Sequence, residues 1–123
     1  MRFLGLLKAD EHSEADAPPP PEMMERMGKF MEAITKAGVL ISTGGLQPSS
    51  KGARVRFSEG KVTVTDGPFT ESKELIASYA LLEVKSKEEA IEWTTRFLKA
   101  LGQGECELRP LFEGPPQPVD GSP

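Results

Sequence analysis

One stretch of the chain gathers the side chains best suited to chemistry. It runs over residues 66–74, Asp-Gly-Pro-Phe-Thr-Glu-Ser-Lys-Glu, and four of its nine residues are charged. The residue before a proline is kept out of the α region, and proline fixes its own φ, so Gly67 and Pro68 predict a stiff corner that presents Asp66 and Phe69. A carboxylate beside apolar side chains is a candidate for acid–base catalysis. An aspartate before Gly-Pro can equally cap the turn by accepting backbone N–H bonds.

Charged residues around this corner complete a candidate small-molecule site at one end of the sheet. Arg54 and Arg56 alternate onto one face of a predicted hairpin, where guanidinium groups can clamp a carboxylate or phosphate, or can serve as solubilising edge residues. Glu71 and Lys73 can contact a ligand or form a solvated rim. The candidate catalytic residue is Asp66, and the candidate ligand-binding residues are Arg54, Gly67, Phe69, Glu71 and Lys73.

The other reactive side chains give weaker signals. His12 is the only histidine and lies in an acidic segment, where a solvated side chain is the simpler interpretation and a mobile catalytic group the alternative. Cys106 is the only cysteine and lies between two glutamates, which is more typical of a packed thiol than of a nucleophile. One histidine and one cysteine do not make a transition-metal cluster, so we expect no metal and no cofactor.

Length and charge narrow the class of protein. The chain has 123 residues, which suits one domain over residues 1–112 followed by a Pro/Gly-rich tail over 113–123. A single cysteine excludes an intramolecular disulfide, and the sequence shows no leader and no long apolar run, so we expect a cytoplasmic protein that does not enter a membrane. The net charge of −4 argues against direct binding of nucleic acid.

Periodicity predicts four strands, two helices and a hairpin. Apolar residues at helical spacing mark one helix over 22–37, and a Ser-x-x-Glu capping box opens another at Ser86, ending before Gly102. Apolar or alternating runs mark strands over 1–8, 39–42, 75–84 and 105–112, while the proline-rich segment 9–21 is expected to be a loop. Residues 53–65 read as a hairpin about Glu59 and Gly60. In that register Val55, Phe57, Val62 and Val64 share one half-buried face.

The order of these elements defines the fold. Strand, helix, strand, hairpin, strand, helix and strand give an α+β fold: a ferredoxin-like split β-α-β arrangement with an inserted hairpin. Both helices of such a unit cover one face of the sheet, yet the strand over 75–84 is apolar on both faces. Because large apolar patches are rare on soluble monomers, we expect a homodimer in which a partner covers the second face.

Residues 66–74 match at every defined position the Asp-Gly-Pro-Phe-x-Glu-x-Lys-Glu signature, and the chain thereby resembles the DGPF branch of the YCII-related family. The resemblance covers residues 3–110 and implies a dimeric α+β barrel. Relatives outside the branch resemble lyase-type enzymes with a histidine and aspartate pair, the histidine lying on the first helix. Residues 22–37 contain no histidine, so that pair is not carried over.

The resemblance implies two candidate functions. The first is a small-molecule-binding or lyase-type domain that uses the Asp66 corner. The second is a regulatory module that contacts extracytoplasmic-function sigma factors and so acts in transcription initiation through protein contacts.

Overall fold

A four-stranded antiparallel sheet, packed on one face by two helices, forms the body of the protein. The computed structural model describes residues 1–15, 18–70 and 74–113. The strands are β1 (Arg2–Lys8), β2 (Leu40–Gly45), β3 (Ala53–Ser58), β4 (Lys61–Asp66), β5 (Ile76–Glu83) and β6 (Cys106–Pro110), and the helices are α1 (Glu11–Glu14), α2 (Pro21–Lys36) and α3 (Lys87–Leu101). The main sheet has the order β2-β5-β1-β6, which confirms the predicted α+β class and the split β-α-β arrangement.

The two long helices begin and end as the sequence predicts, within a residue. Pro21 opens α2, where its missing N–H costs no hydrogen bond. The Ser86 side chain accepts a hydrogen bond from Glu89 N (3.0 Å), while Glu89 Oε1 accepts from Lys85 N (2.7 Å) rather than from the Ser86 backbone. Gly102 ends α3 with φ of 97°, a left-handed conformation that glycine adopts without steric cost.

The core lies between the helix pair and one face of the sheet. Phe3, Ile34, Leu82, Val84 and Ala90 are buried there, and the rings of Phe30 and Trp93 pack edge to face beside them. Successive side chains of a strand point to opposite faces of the sheet, so every second residue of each strand points away from the helices. That open face is formed by Leu4, Leu6, Tyr79 and Leu81, all half-buried and outside the core cluster.

The segment predicted as a loop over 9–21 contains a helical turn, α1. Asp10 caps it by accepting from Ser13 N (2.9 Å), and Ser13 Oγ accepts from Asp10 N (2.9 Å). This reciprocal cap forms a helix too short to show apolar periodicity, which explains why periodicity missed it. A 3-10 helix at Ser49–Lys51 was also missed, for the same reason.

The inserted hairpin, β3 and β4, has the predicted register but not the predicted burial. Val55 pairs with Val64 and Phe57 with Val62, around a turn in which Glu59 and Gly60 both have positive φ. The four apolar side chains of this ribbon are 61–73% exposed, whereas a half-buried face was expected. The ribbon is a separate two-stranded sheet that shares no strand pairing with the main sheet.

Candidate functional site

The corner predicted at Gly67 is fixed by direct contact with the 3-10 helix. A Cβ at Gly67 would lie 1.8 Å from the Ser49 carbonyl oxygen, so only glycine allows the two backbones to approach this closely. Gly67 N donates to Gly52 O at 3.0 Å, and the Gly67–Pro68 peptide bond is cis. The end of β4 is therefore held against the residues that precede β3.

Ser49 connects three segments at this corner. Its backbone N donates to Glu14 Oε2 (2.9 Å) and its hydroxyl donates to Glu14 Oε1, so both carboxylate oxygens of the α1 residue are engaged. The same hydroxyl oxygen accepts a hydrogen bond from Phe69 N at 3.1 Å. Ser49 thereby ties α1 and the residues after Pro68 to one point.

The electrostatics of this contact favour the ionised form of Glu14. Its carboxylate accepts from the Ser49 hydroxyl and, secondarily, from the Ser49 backbone N–H, and these hydrogen bonds hold the pKa of Glu14 below its ordinary value against a smaller opposing effect of burial. The contact is therefore made by a carboxylate at neutral pH, where charge-assisted hydrogen bonds are stronger than neutral ones.

A cation is held over the aromatic ring of the corner. The Arg54 guanidinium carbon lies 4.0 Å from the centroid of the Phe69 ring, and Arg54 Nη2 lies 4.0 Å from Glu74 Oε2. The Arg54 side chain is nevertheless 47% exposed. A guanidinium that stacks by its face can direct N–H groups at a carboxylate or phosphate in its own plane.

Asp66 occupies a different position from the one expected. It is exposed, whereas a carboxylate that lies among apolar side chains or caps the turn was expected to be buried. Asp66 pairs with Ala53 and Arg54 pairs with Thr65, so alternation places Asp66 and Arg54 on opposite faces of the ribbon. Among the described residues Arg54 forms an ion pair with Glu74, at 4.0 Å.

The structure describes some of the other residues singled out from the sequence, and the rest lie outside the described ranges. Glu71 and Lys73 lie outside the described residues, as does the tail beyond residue 113. His12 lies on α1, and its side chain is not among those described. Arg109 pairs with Glu107 (3.1 Å) on the surface of β6, a structural role that leaves it outside the candidate site.

Cys106 behaves as a packed thiol. It is half-buried on the helix side of β6, opposite Leu7. Burial, with a smaller contribution from Glu105, raises the pKa of its thiol to about 11. Since the thiolate is the nucleophilic form, this cysteine is not an activated nucleophile at neutral pH.

Two cavities lie away from the corner residues. A groove of about 1130 Å³ opens at the same end of the sheet, between the segment containing α1, the first turns of α2 and the loop after α3. Its charged walls include Lys8, which pairs with Glu105 at 3.3 Å, and Arg26, which donates to Ala100 O at 2.8 Å. A smaller apolar cavity of about 70 Å³ lies under the helices. Neither is lined by Asp66 or Arg54.

Sequence reasoning missed Ser49 and Glu14 as parts of this corner. Each lies in a short element without periodicity, and their contact joins residues 35 positions apart. The one sequence signal near Glu14 is the Asp10-x-x-Ser13 pattern, which is typical of a helix N-terminus.

Within the residues described, no three His, Cys, Asp or Glu side chains gather in a way that could hold a metal ion. No helix in that same part of the chain is long and apolar enough to cross a membrane.

The sheet order, the two helices on one face and the inserted ribbon define a small α+β domain, and comparison with known proteins identifies its family. The model of the YCII-related domain matches residues 1–113. An uncharacterized protein of Rhizobium meliloti (strain 1021) is 31% identical over 90 residues, which cover 72% of this chain and 73% of the relative. The chain belongs to the YCII-related family.

A solved structure is also similar. It is 5-chloro-2-hydroxyhydroquinone dehydrochlorinase (TftG) from Burkholderia phenoliruptrix AC1100, in complex with 2,5-dihydroxybenzoquinone. The similarity has a TM-score of 0.49 at 16% identity and covers 93% of this chain and 96% of that one.

Proposed function

We propose that this protein is a cytoplasmic small-molecule-binding domain of the DGPF branch, with lyase-type chemistry, and that its ligand lies across the Asp66 corner. The observation that carries the proposal is the Arg54 guanidinium, stacked 4.0 Å over Phe69 and still 47% exposed. A cation pre-positioned on an aromatic ring suits a small organic acid with a flat or apolar body.

Each corner residue has a role in this proposal. Arg54 binds the carboxylate or phosphate of the ligand in exchange for its 4.0 Å contact with Glu74, and the Phe69 ring contacts the ligand body. Arg54 and Asp66 lie on opposite faces of the ribbon, but Asp66 is the last residue of β4. A ligand bound to Arg54 can therefore extend around the end of the ribbon and contact Asp66. There the exposed carboxylate accepts a proton from the ligand, as a general base does. Gly67 lets the backbone of the corner lie against Ser49, and Glu71 and Lys73, which lie outside the described residues, are further candidate ligand contacts.

The test is an NMR titration of the isotope-labelled protein with phosphate, maleate and benzoate. We expect one of these acids to shift the Arg54 Nε–H and the amide signals of Gly67 and Phe69 in a saturable way. Shifts confined to residues of the groove, such as Lys8 and Arg26, would place the ligand there instead. No saturable shift at the corner with any of the acids contradicts the proposal.

We further propose that the protein is a homodimer that closes an α+β barrel through the open face of Leu4, Leu6, Tyr79 and Leu81. The Tyr79 ring lies against Gly44 on this face, where a Cβ would be only 2.8 Å from the ring. Four neighbouring half-buried apolar side chains on the sheet face that carries no helix favour a covering surface. Light scattering that shows a monomer at micromolar concentration would refute the dimer.

A second candidate function is a regulatory module that contacts an extracytoplasmic-function sigma factor. One observation favours a protein partner: the ribbon formed by β3 and β4 exposes an apolar face of Val55, Phe57, Val62 and Val64. Such a face is typical of interaction surfaces. Co-purification of a sigma factor with the wild-type protein, lost on substitution of Phe57, would support this candidate over the enzyme.

A further inference from the structure

The inner cavity, which we define as the space between the helix pair and the helix-facing side of the main sheet, has a volume of about 70 Å³. Its floor extends across all four strands, from Thr43 on the edge strand β2 to Cys106 on the opposite edge strand β6. Its roof is formed by α2 and α3, through the rings of Phe30, Trp93 and Phe97.

The inner cavity is explained by the sizes of the side chains around it. Protein interiors are close-packed, and voids larger than a water molecule are few. Here the Phe30 ring packs against the rings of Trp93 and Phe97, at centroid distances of 6.2 and 5.7 Å, and all three side chains remain half-buried. The floor beneath these rings includes small residues that do not fill the space: Gly5, Ser78 and Ala80.

We propose that the inner cavity binds a small uncharged aromatic molecule that carries no more than one hydroxyl group. Among the described residues, none that lines the cavity is charged. A charged ligand would therefore lose its hydration there without gaining a counter-charge. Burial raises the pKa of the Cys106 thiol to about 11, so this lining group is also neutral at neutral pH. The site lies apart from the Asp66 corner and goes beyond the function proposed above.

The volume and the polar groups of the inner cavity define the ligand further. An apolar cavity of about 150 Å³ binds benzene or xenon. At about half that volume, the inner cavity admits xenon directly, and it admits a single ring when a wall residue moves. Met31 is suited to such movement because its unbranched side chain has three rotatable bonds. The Thr43 hydroxyl already donates to Tyr79 O at 2.8 Å, which leaves the hydroxyls of Ser78 and Thr94 to meet one polar atom of the ligand.

The test is a methyl NMR titration of the isotope-labelled full chain with xenon, phenol and benzoate. Phenol is uncharged at neutral pH, as a tyrosine side chain is, whereas benzoate carries a charge on the same ring. We expect xenon and phenol to shift the methyl signals of Leu7, Met31 and Ile34 in a saturable way, and benzoate to leave them unchanged. The indole N–H of Trp93, the only tryptophan, is a second reporter on the cavity wall.

Gly5→Ala tests whether the space itself holds the ligand. The added Cβ would lie 3.4 Å from Leu108 Cδ2 and 3.8 Å from Ala80 O, which are ordinary contacts, so we expect this variant to fold. Its methyl group takes space from the ligand, and we expect phenol affinity to fall about fourfold or more. Gly28→Ala is the matched control, because Gly28 does not line the cavity and nothing lies within 4 Å of its Cβ position. Ala80→Val replaces Gly5→Ala if that variant is not folded.

The predicted result is saturable binding of xenon and phenol that is weakened by Gly5→Ala and unchanged by Gly28→Ala. Binding of xenon without phenol would show a void too small for a ring, and this overturns the inference. It is also overturned by methyl shifts that do not saturate, by equal shifts with benzoate, or by unchanged phenol affinity in Gly5→Ala. The Asp66 corner is tested separately through the amide signals of Gly67 and Phe69, so failure at one site is distinguishable from failure at the other.

Discussion

Gly67 and Ser49 are in backbone contact, so close that a Cβ at Gly67 would lie 1.8 Å from the Ser49 carbonyl oxygen and 2.7 Å from its carbonyl carbon. Gly67 is not among the glycines with positive φ. The glycine of the signature is therefore required by space rather than by backbone conformation. This contact determines where the Asp66 corner lies relative to α1 and to the ribbon formed by β3 and β4.

Gly67→Ala should be strongly destabilising. The methyl group meets backbone atoms, which cannot move aside as a flexible side chain can, and overpacking of this kind costs about 1–3 kcal/mol in the free energy of unfolding. Gly45→Ala is the matched control, since nothing lies within 4 Å of its Cβ position, and should change stability by no more than about 0.5 kcal/mol. Urea denaturation measures both. Equal effects of the two substitutions would show that the contact is not tight.

Ser49→Ala should lower the free energy of unfolding by about 1–3 kcal/mol. It removes the hydroxyl that donates to Glu14 and accepts from Phe69 N, and leaves the amide of Phe69 without that acceptor. Ser50→Ala, at an exposed neighbouring position, should be within about 0.5 kcal/mol of the wild type. Hydrogen exchange at the Phe69 amide should become faster in the Ser49 variant only; unchanged exchange there would contradict the hydrogen bond.

Stability should depend on pH through Glu14. Its pKa is lowered in the folded protein, so the carboxylate contributes stability above its unfolded pKa, and this contribution is lost as the pH falls through the folded pKa. Glu14→Gln should therefore be less stable than the wild type at neutral pH, and the difference should shrink on acidification. Glu11→Gln, a neighbour on α1, is the control. A difference between Glu14→Gln and wild type that stays constant with pH would argue against this contact.

Asp66→Ala should change the free energy of unfolding by less than about 0.5 kcal/mol, because its side chain is exposed. This expectation replaces the loss of 1–3 kcal/mol that a buried, hydrogen-bonded aspartate would give. Thermal and urea denaturation provide the measurement. A loss above about 1 kcal/mol would mean that the carboxylate holds the turn together, either within the chain or against a partner.

Local pattern was sufficient for the two long helices, for the strands and for the register of the ribbon formed by β3 and β4. Phe57 pairs with Val62 because a two-residue turn at Glu59 and Gly60 leaves only that alternation, and Ser86 caps α3 by a contact three residues away. Burial was not predictable in the same way. Whether the Phe57 face is covered depends on surfaces distant in sequence or on another molecule, and alternation cannot distinguish a covered face from an open one.

The candidate site was predicted only as far as its local residues. The stretch from Asp66 to Phe69 was found from its chemistry, yet Glu14 and Ser49 reach it across long separations in the sequence. The same limit applies to Arg54, whose contact with Glu74 joins residues far apart in the sequence. Side-chain alternation alone predicts that Arg54 and Asp66 lie on opposite faces of the ribbon. It does not predict that Arg54 lies over the Phe69 ring.

The central claim is that ligand binding depends on the Asp66 corner and on no histidine. Isothermal titration calorimetry, with the tightest-binding of phosphate, maleate and benzoate, compares the wild type with Asp66→Asn, Arg54→Met and His12→Ala. We predict that the two corner variants each weaken binding at least about tenfold, near 1.4 kcal/mol, while His12→Ala stays within about threefold. Loss of binding in His12→Ala, with affinity retained in Asp66→Asn and Arg54→Met, would contradict the account and place the site elsewhere on the molecule.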